Sequence, residues 1–190
     1  ADGPFDVLIN NAGVMSIGVT EAFTLAQARA QMESNYFGAV RTRQAVLPAM
    51  RAASSGLIIN TSSLVGQISP PFFSTYSATK HALEAYAQGL RYEVSPFGVD
   101  VALVEPGPFG TGLLAAGQGP QRDDVLAAYG EIAALPTVMG EHFAAFLQSE
   151  EAPKPQLVVD AYLALAAMPP GQRPTRTVVG TLKEHVSPSC

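Results

Sequence analysis

A tyrosine and a lysine four positions apart, Tyr76 and Lys80, are the residues of this 190-residue sequence best suited to acid–base chemistry. In a helix the two side chains share one face, because residues four apart are neighbours on a helix surface. A phenol has a pKa of about 10, and a cation one turn away stabilises the phenolate and lowers that value. The pair therefore fits a general acid and base for an alcohol or a carbonyl group. Taken alone, it is better explained as a tyrosine packed beside a solvated lysine.

The surroundings of the pair favour the chemical interpretation. Ser62 and Ser63 close a buried strand, and Ser63 lies 13 residues before the tyrosine. Two other strands end in an Asn-Asn-Ala-Gly turn at Gly13 and in a Pro-Gly turn at Gly107, and Asn35 lies between the first two strands. Ligands of open parallel sheets bind beyond the carboxyl ends of the strands, so these turns predict one shared site.

Hydrophobic patterning predicts strands that alternate with helices. Strands buried on both faces are expected at 6–11, 57–62 and 99–104, with a shorter strand at 176–179. Helices are expected at 20–51, 76–94 and 156–168. This alternation implies βαβ units, a parallel sheet and a single α/β domain over 1–190.

The composition narrows the class of protein. Apolar residues make up 47% of the sequence and charged residues 14%, which is sufficient for a buried core. A net charge of −5 with scattered basic residues argues against a nucleic-acid partner, and no apolar run has the length of a membrane span. The one cysteine, Cys190, excludes an internal disulfide, and the histidines lack partners at metal-ligand spacing. We expect a cytoplasmic protein with no metal site.

Five short segments together resemble the short-chain dehydrogenase/reductase family. They are Asn-Asn-Ala-Gly, Asn-Tyr-Phe-Gly, Asn-Thr-Ser-Ser, Tyr-Ser-Ala-Thr-Lys and Pro-Gly with a following Thr, and the resemblance runs from Asp6 to Gly180. It implies a Rossmann-like, doubly wound parallel sheet and an oxidoreductase that uses NAD or NADP on a secondary alcohol or ketone. The Glu-Pro-Gly-Pro-Phe segment and the Arg-Pro-Thr-Arg-Thr-Val-Val-Gly run are most similar to the branch that contains hydroxysteroid- and retinol-type dehydrogenases.

The resemblance implies a catalytic set of four residues. Tyr76 would exchange a proton with the substrate oxygen, and Ser63 would hydrogen-bond and orient that oxygen. Lys80 would lower the pKa of Tyr76 and hold the ribose next to the nicotinamide. Asn35 would hold a water molecule that relays protons from Lys80 to solvent.

Cofactor contacts are implied at the same strand ends. Asn11, Ala12 and Gly13 would lie against the adenosine side of the dinucleotide. The nicotinamide end would be contacted by six residues: Tyr76, Lys80, Pro106, Gly107, Phe109 and Thr111.

Three further expectations concern substrate, assembly and the end of the chain. Residues 109–152 would form a substrate loop or lid, whose apolar composition favours an apolar substrate. A homodimer or homotetramer would form through helices 33–51 and 76–94, with residues such as Phe37, Leu83 and Leu90 buried between subunits. Residues 182–190 would be a disordered tail.

One part of the family pattern is not found in the sequence. Members carry a TGxxxGxG turn before a helix whose N-terminus faces the pyrophosphate, and the first strand here corresponds to the family's fourth. We therefore expect a partial domain that lacks the first βα units, from a fragment or a truncated form of a longer enzyme. The alternative hypothesis is a non-catalytic fragment or pseudoenzyme that acts as an interaction subunit.

Overall fold

Residues 5–181 are described by the computed structural model, and they contain four strands and six α-helices. The strands are β1 (Val7–Asn10), β2 (Gly56–Thr61), β3 (Val99–Pro106) and β4 (Arg176–Val179). The helices are α1 (Leu25–Met32), α2 (Gly38–Ala53), α3 (Ser74–Val94), α4 (Asp123–Ala128), α5 (Leu135–Leu147) and α6 (Gln156–Ala167). Short 3-10 turns lie at Thr20–Ala22, Leu64–Gly66, Ser95–Phe97 and Gly130–Ala134, and a π turn lies at Glu33–Phe37.

The four strands form one parallel sheet in the order β1-β2-β3-β4. Helices α2 and α3 cover one face, where Met50 and Leu90 share a buried cluster with Ile58 of the sheet. Helix α6 covers the opposite face, where Leu165 shares a cluster with Ile59. The predicted α/β fold with helices on both sides of a parallel sheet is confirmed, and the carboxyl ends of all strands lie at one edge.

The expectation that the first strand is buried on both faces is wrong. Leu8 packs against the cluster under α2 and α3, but Val7 is 37% exposed and Ile9 is 42% exposed. Successive side chains of a strand point to opposite faces, so one face of β1 is covered and the other is open in the described structure. Apolar composition alone does not distinguish a covered face from an open one.

The helical stretch 20–51 is divided where the sequence predicted continuity. Thr24 begins α1 with a capping box, in which its side chain accepts a hydrogen bond from the backbone N–H of Gln27. The π turn Glu33–Phe37 then separates α1 from α2. Such turns insert an extra residue into a helix and are frequent at functional sites. This one carries Asn35.

The expected subunit-interface role of two leucines is not supported. Leu83 is 2% exposed and Leu90 is 6% exposed within the single chain. Both are therefore already covered without a second subunit. Phe37, at 43% exposure, is the one residue of the three that remains available to a partner.

The predicted lid segment, 109–152, contains α4, the turn Gly130–Ala134 and α5. Its Val125 joins Val19 and Ala22 in a small buried cluster, and the Tyr129 hydroxyl donates a 2.9 Å hydrogen bond to Glu21. Among residues 5–181, no helix is long and apolar enough to cross a membrane, and no group of side chains is arranged to hold a metal ion. The predicted tail, 182–190, lies outside the described residues.

Candidate active site

The acid–base pair of α3 is buried at the carboxyl edge of the sheet. Tyr76 is 3% exposed and Lys80 is 4% exposed. The Lys80 ammonium donates a 2.8 Å hydrogen bond to the carbonyl of Thr61, the last residue of β2. Its nitrogen lies 5.7 Å from the centre of the Tyr76 ring. Helix α3 and strand β2 thus fix the position of the cation next to the phenol.

Burial, rather than the nearby lysine, dominates the pKa of the tyrosine. It raises the pKa of Tyr76 to about 12, and the neighbouring Ser63 side chain acts in the opposite direction. The same burial lowers the pKa of Lys80 to about 8, opposed by the negative charge of Glu84. The expectation that Lys80 lowers the pKa of Tyr76 is therefore not supported, because burial and Ser63 account for the shift.

Asn35 connects the loop after β1 to α3, the helix that carries Tyr76 and Lys80. Its side-chain oxygen accepts a 2.8 Å hydrogen bond from the N–H of Val14, and its nitrogen donates 2.9 Å bonds to the Val14 carbonyl and the Thr79 hydroxyl. The Thr79 hydroxyl donates in turn to the carbonyl of Tyr76 at 2.8 Å. The Asn35 side chain is 3% exposed, and both its oxygen and its nitrogen form hydrogen bonds within the chain. Asn35 therefore lies next to the site and also holds the structure around it.

Ser63 begins the turn that follows β2. Within residues 5–181 its hydroxyl makes two hydrogen bonds, both long: 3.4 Å to the Pro106 carbonyl and 3.4 Å from the N–H of Val65. Ser62, in contrast, is 3% exposed, and its hydroxyl oxygen has no partner among the described residues. Ser63 is the more accessible serine and retains hydrogen-bonding capacity for a ligand.

A cavity of about 440 Å³ brings the predicted cofactor residues together. Ser63 lines this cavity, but Asn35 lies behind its wall. All nine residues predicted to contact the cofactor line it: Asn11, Ala12, Gly13, Tyr76, Lys80, Pro106, Gly107, Phe109 and Thr111.

A second cavity of about 220 Å³ adjoins the first and is mainly apolar. Ser63 and Tyr76 are among the residues that line both cavities, so both side chains lie at the wall that the cavities share. The apolar wall comes from the turn after β2 and from the 109–152 segment. Its residues include Leu64, Ile68, Phe73, Leu114, Phe143 and Leu147.

Sequence reasoning missed Tyr162 on α6. Its hydroxyl donates a 2.8 Å hydrogen bond to the Asn11 side chain and lies 2.7 Å from the Thr61 hydroxyl. It also lines the larger cavity. The apolar pattern of α6 indicated only a helix that covers the sheet, and no local signal shows that one of its residues reaches the site.

The comparisons with known proteins agree with this arrangement. A model of the short chain dehydrogenase family matches residues 2–120. This chain belongs to the short-chain dehydrogenase family, as its five motif segments predicted. A retinol dehydrogenase is among its relatives, which agrees with the expected branch.

Three matches show the extent of the similarity. The 3-ketodihydrosphingosine reductase of Bacteroides thetaiotaomicron is 48% identical over 110 residues, which are 58% of this chain and 41% of that protein. Retinol dehydrogenase 8 of Bos taurus is 41% identical over 106 residues, 56% of this chain and 34% of that protein. The structure of a short-chain dehydrogenase from Streptomyces avermitilis matches with a TM-score of 0.78 and 33% identity, over 94% of this chain and 62% of that one.

The matched region spans about two fifths or less of the length of these curated relatives. One matched structure, 32% identical to this chain, is a complex with NADP.

Proposed function

We propose that this chain carries the active site of an NAD(P)-dependent oxidoreductase that interconverts a secondary alcohol and a ketone. The observation that carries the proposal is the position of Tyr76 and Ser63 on the wall shared by two cavities. One cavity has polar residues at strand ends and fits a cofactor, and the other is apolar and fits a substrate. The reacting groups would meet beside the two hydroxyls.

The larger cavity suits a nicotinamide dinucleotide. A Cβ atom built on Gly13 would lie 3.2 Å from the Asn35 oxygen and 3.8 Å from the Lys80 nitrogen, so a side chain here would narrow the space beside the lysine. Glycine leaves that space free for a ribose hydroxyl, and Lys80 provides a charged donor for it. The adenosine side would be held by Asn11 and Ala12, and the nicotinamide end by the turn from Pro106 to Thr111.

The chain's own groups supply proton transfer and orientation. The bound nicotinamide would donate or accept the hydride. Tyr76 would deliver the proton to the ketone oxygen or remove it from the alcohol, and Ser63 would donate a hydrogen bond that fixes that oxygen. Burial raises the pKa of Tyr76 to about 12, so the phenol holds its proton tightly. Release of that proton therefore requires a nearby positive charge. Lys80 would provide that charge, and Asn35 would hold the surrounding loop and helix in register.

An apolar substrate fits the smaller cavity. Its lining includes Leu114, Phe143 and Leu147 from the 109–152 segment, which we propose acts as the substrate loop. The names of the two curated relatives given above refer to 3-ketodihydrosphingosine and to retinol, which supports this substrate class. A homodimer or homotetramer is proposed on the family resemblance, with Phe37 as the exposed aromatic residue on the expected interface.

The decisive experiment is the Tyr76→Phe substitution in the natural protein that contains this sequence. Removing a positioned acid–base group typically lowers turnover by about 10²–10⁴-fold, and NAD(P)H binding should remain close to that of the parent. Tyr92→Phe is the matched control, because Tyr92 lies on the same helix and is 81% exposed. Turnover by Tyr76→Phe within a few-fold of the parent would contradict the proposed function.

A further inference from the structure

Two buried carboxylates and one partly exposed guanidinium lie together next to the active site. Glu84 of α3 is 4% exposed and Glu105 of β3 is 0% exposed. The Nε atom of Arg176 in β4 lies 3.1 Å from Oε2 of Glu84 and 3.1 Å from Oε1 of Glu105. The proposed chemistry leaves this group of three charged residues, the Glu84–Glu105–Arg176 cluster, without a role.

The cluster lies beside three of the segments that carry residues of the site: α3, the end of β3 and the turn after β2. Glu84 follows Lys80 by one helical turn, and Glu105 directly precedes the Pro-Gly turn of the larger cavity. Gln67, just after the turn that Ser63 begins, donates a 2.5 Å hydrogen bond to Glu105. A Cβ atom on Gly66 would lie 3.0 Å from Cγ of Glu84, so that turn lies directly against the glutamate side chain.

One guanidinium faces two carboxylates, so their charges are not balanced within the cluster. The Oε1 atoms of Glu84 and Glu105 accept no hydrogen bond from the described residues. Burial and the negative charge of Glu84 raise the pKa of Glu105 to about 7, so Glu105 retains a proton in weakly acidic solution. Titratable groups with strongly perturbed pKa values cluster at functional sites.

We propose that Glu84 is a positioning residue of the active site, whose buried carboxylate, held by Arg176 beside Glu105, stabilises the ammonium form of Lys80. Residues four apart on a helix are about 5–6 Å apart at Cβ, and a buried pair is screened less than a surface pair. Without the carboxylate, burial of Lys80 would favour the neutral amine. The amine lacks the charge that a departing phenol proton requires.

The titratable groups around Glu84 come from three elements. Helix α3 contributes Tyr76 and Lys80, strand β3 contributes Glu105 and strand β4 contributes Arg176. Arg176 pairs with both Glu84 and Glu105 through the same Nε atom. The effect of Glu84 on Lys80 is therefore measured best with both neighbours present.

The test measures Lys80 directly, in the natural protein that contains this sequence. The ¹³Cε resonance of Lys80 is assigned as the signal that Lys80→Arg removes, and its pH titration is followed in the parent, Glu84→Gln and Glu93→Gln. Glu93 lies on the same helix and is exposed, so it is a matched control for charge removal. Glu84→Gln should lower the pKa of Lys80 by about one unit. Glu93→Gln should leave it unchanged.

Turnover provides the second readout, and only this readout rests on the proposed function. When the reaction is measured in the direction of ketone reduction, kcat/KM should fall at high pH. In Glu84→Gln this fall should occur at lower pH than in the parent, by the same amount as the shift in the Lys80 pKa. If the parent has no oxidoreductase activity but the Lys80 titration shifts as expected, the proposed function fails and the proposal about Glu84 stands.

An unchanged Lys80 titration in Glu84→Gln, or an equal shift in Glu93→Gln, would overturn the proposal. If Glu84→Gln does not fold, the double variant Glu84→Gln/Arg176→Gln removes one charge of each sign from the cluster. It should still lower the Lys80 pKa, but by less than Glu84→Gln alone, because loss of the Arg176 cation acts in the opposite direction. An unchanged or raised value there would also overturn the proposal.

Discussion

Asn35 and Thr79 are 44 positions apart in the sequence, yet their side chains are joined by a buried 2.9 Å hydrogen bond. This bond ties the π turn to the helix that carries Tyr76 and Lys80. This amide side chain therefore helps to fix the position of Tyr76 and Lys80 relative to the loop after β1.

Asn35→Ala should destabilise the fold as well as reduce turnover. It leaves the Val14 N–H without its 2.8 Å acceptor and removes the donor to Thr79. An unsatisfied buried polar group costs about 1–3 kcal/mol, which should appear in the free energy of unfolding measured with urea. Ser34→Ala, at an exposed neighbouring position, is the control and should lie within about 0.5 kcal/mol of the parent. Equal stability of the Asn35 and Ser34 variants would contradict the structural role.

Lys80→Met should alter how stability depends on pH. The pKa of Lys80 is about 8 in the folded chain and 10.5 as its ordinary value, so the unfolded chain binds more protons between these pH values. Burying the charged lysine therefore lowers the free energy of unfolding, with the full effect present below pH 8. The effect is lost above pH 10.5, where the lysine is neutral in both the folded and the unfolded chain. As the pH rises across this window, the free energy of unfolding of the parent should increase by ~3 kcal/mol relative to that of Lys80→Met. Urea unfolding at pH 7.5 and pH 10.5 measures it, and a constant difference would refute the burial argument.

Gly13→Val should block cofactor binding and also displace Asn35, whose side-chain oxygen would lie 3.2 Å from the new Cβ atom. Its Cβ lies 3.8 Å from the Lys80 nitrogen, and the two added methyl groups would extend into the cavity. We expect NAD(P)H affinity to fall by about tenfold or more, measured by nicotinamide fluorescence. Gly119→Val is the control, because a Cβ atom there meets no atom within 4 Å. Parent-like affinity in Gly13→Val would place the cofactor elsewhere.

Phe143→Asn should raise KM for apolar ketones selectively. Phe143 lines the apolar cavity, and loss of its buried contact is worth about 1.5–3 kcal/mol, or at least tenfold in KM. Leu135→Asn serves for comparison, since Leu135 begins the same helix and is 47% exposed. Kinetics with a series of alkyl ketones and a polyol would decide between an apolar and a polar substrate. A preference for the polyol in the parent would contradict the apolar assignment.

The isolated 190-residue chain should self-associate through β1. In the described structure this strand pairs only with β2, and Ile9 on its open face is 42% exposed. An apolar strand with a free edge is a template for pairing with another chain. Ile9→Lys should shift the chain toward monomer in sedimentation at micromolar concentration, whereas Phe97→Lys, on the distant turn before β3, should not. A monodisperse parent chain would remove the basis for this prediction.

Spacing and strand order were sufficient to predict the central residues of the site. Tyr76 and Lys80 are local neighbours on a helix, and the turns at Gly13, Ser63 and Gly107 follow strands whose carboxyl ends must share one edge of a parallel sheet. Local periodicity and chain topology therefore carry this information. The family resemblance added the roles, which remain proposals.

The remaining features of the fold and of the candidate site depend on long-range contacts, which a local sequence pattern does not predict. Tyr162 reaches the site from a helix 151 positions after Asn11, and Arg176 meets Glu84 across 92 positions. The exposure of Val7 and Ile9 depends on what covers the sheet, which composition does not specify. The pKa of Tyr76 differs from expectation for a similar reason, because burial is a property of the fold and not of the helix that carries the residue.

The π turn at Glu33–Phe37 gives the chain an unusual sensitivity to length. One helical residue corresponds to a rotation of about 100°, so the extra residue in this turn sets the angle between Asn35 on one side and Leu47 and Met50 on the other. Deleting a single residue there would restore an unbroken α-helix. Either Asn35 would then point away from α3, or Leu47 and Met50 would point away from the sheet. We therefore expect amino-acid substitutions in this stretch to be tolerated during evolution, and insertions and deletions to be eliminated by selection.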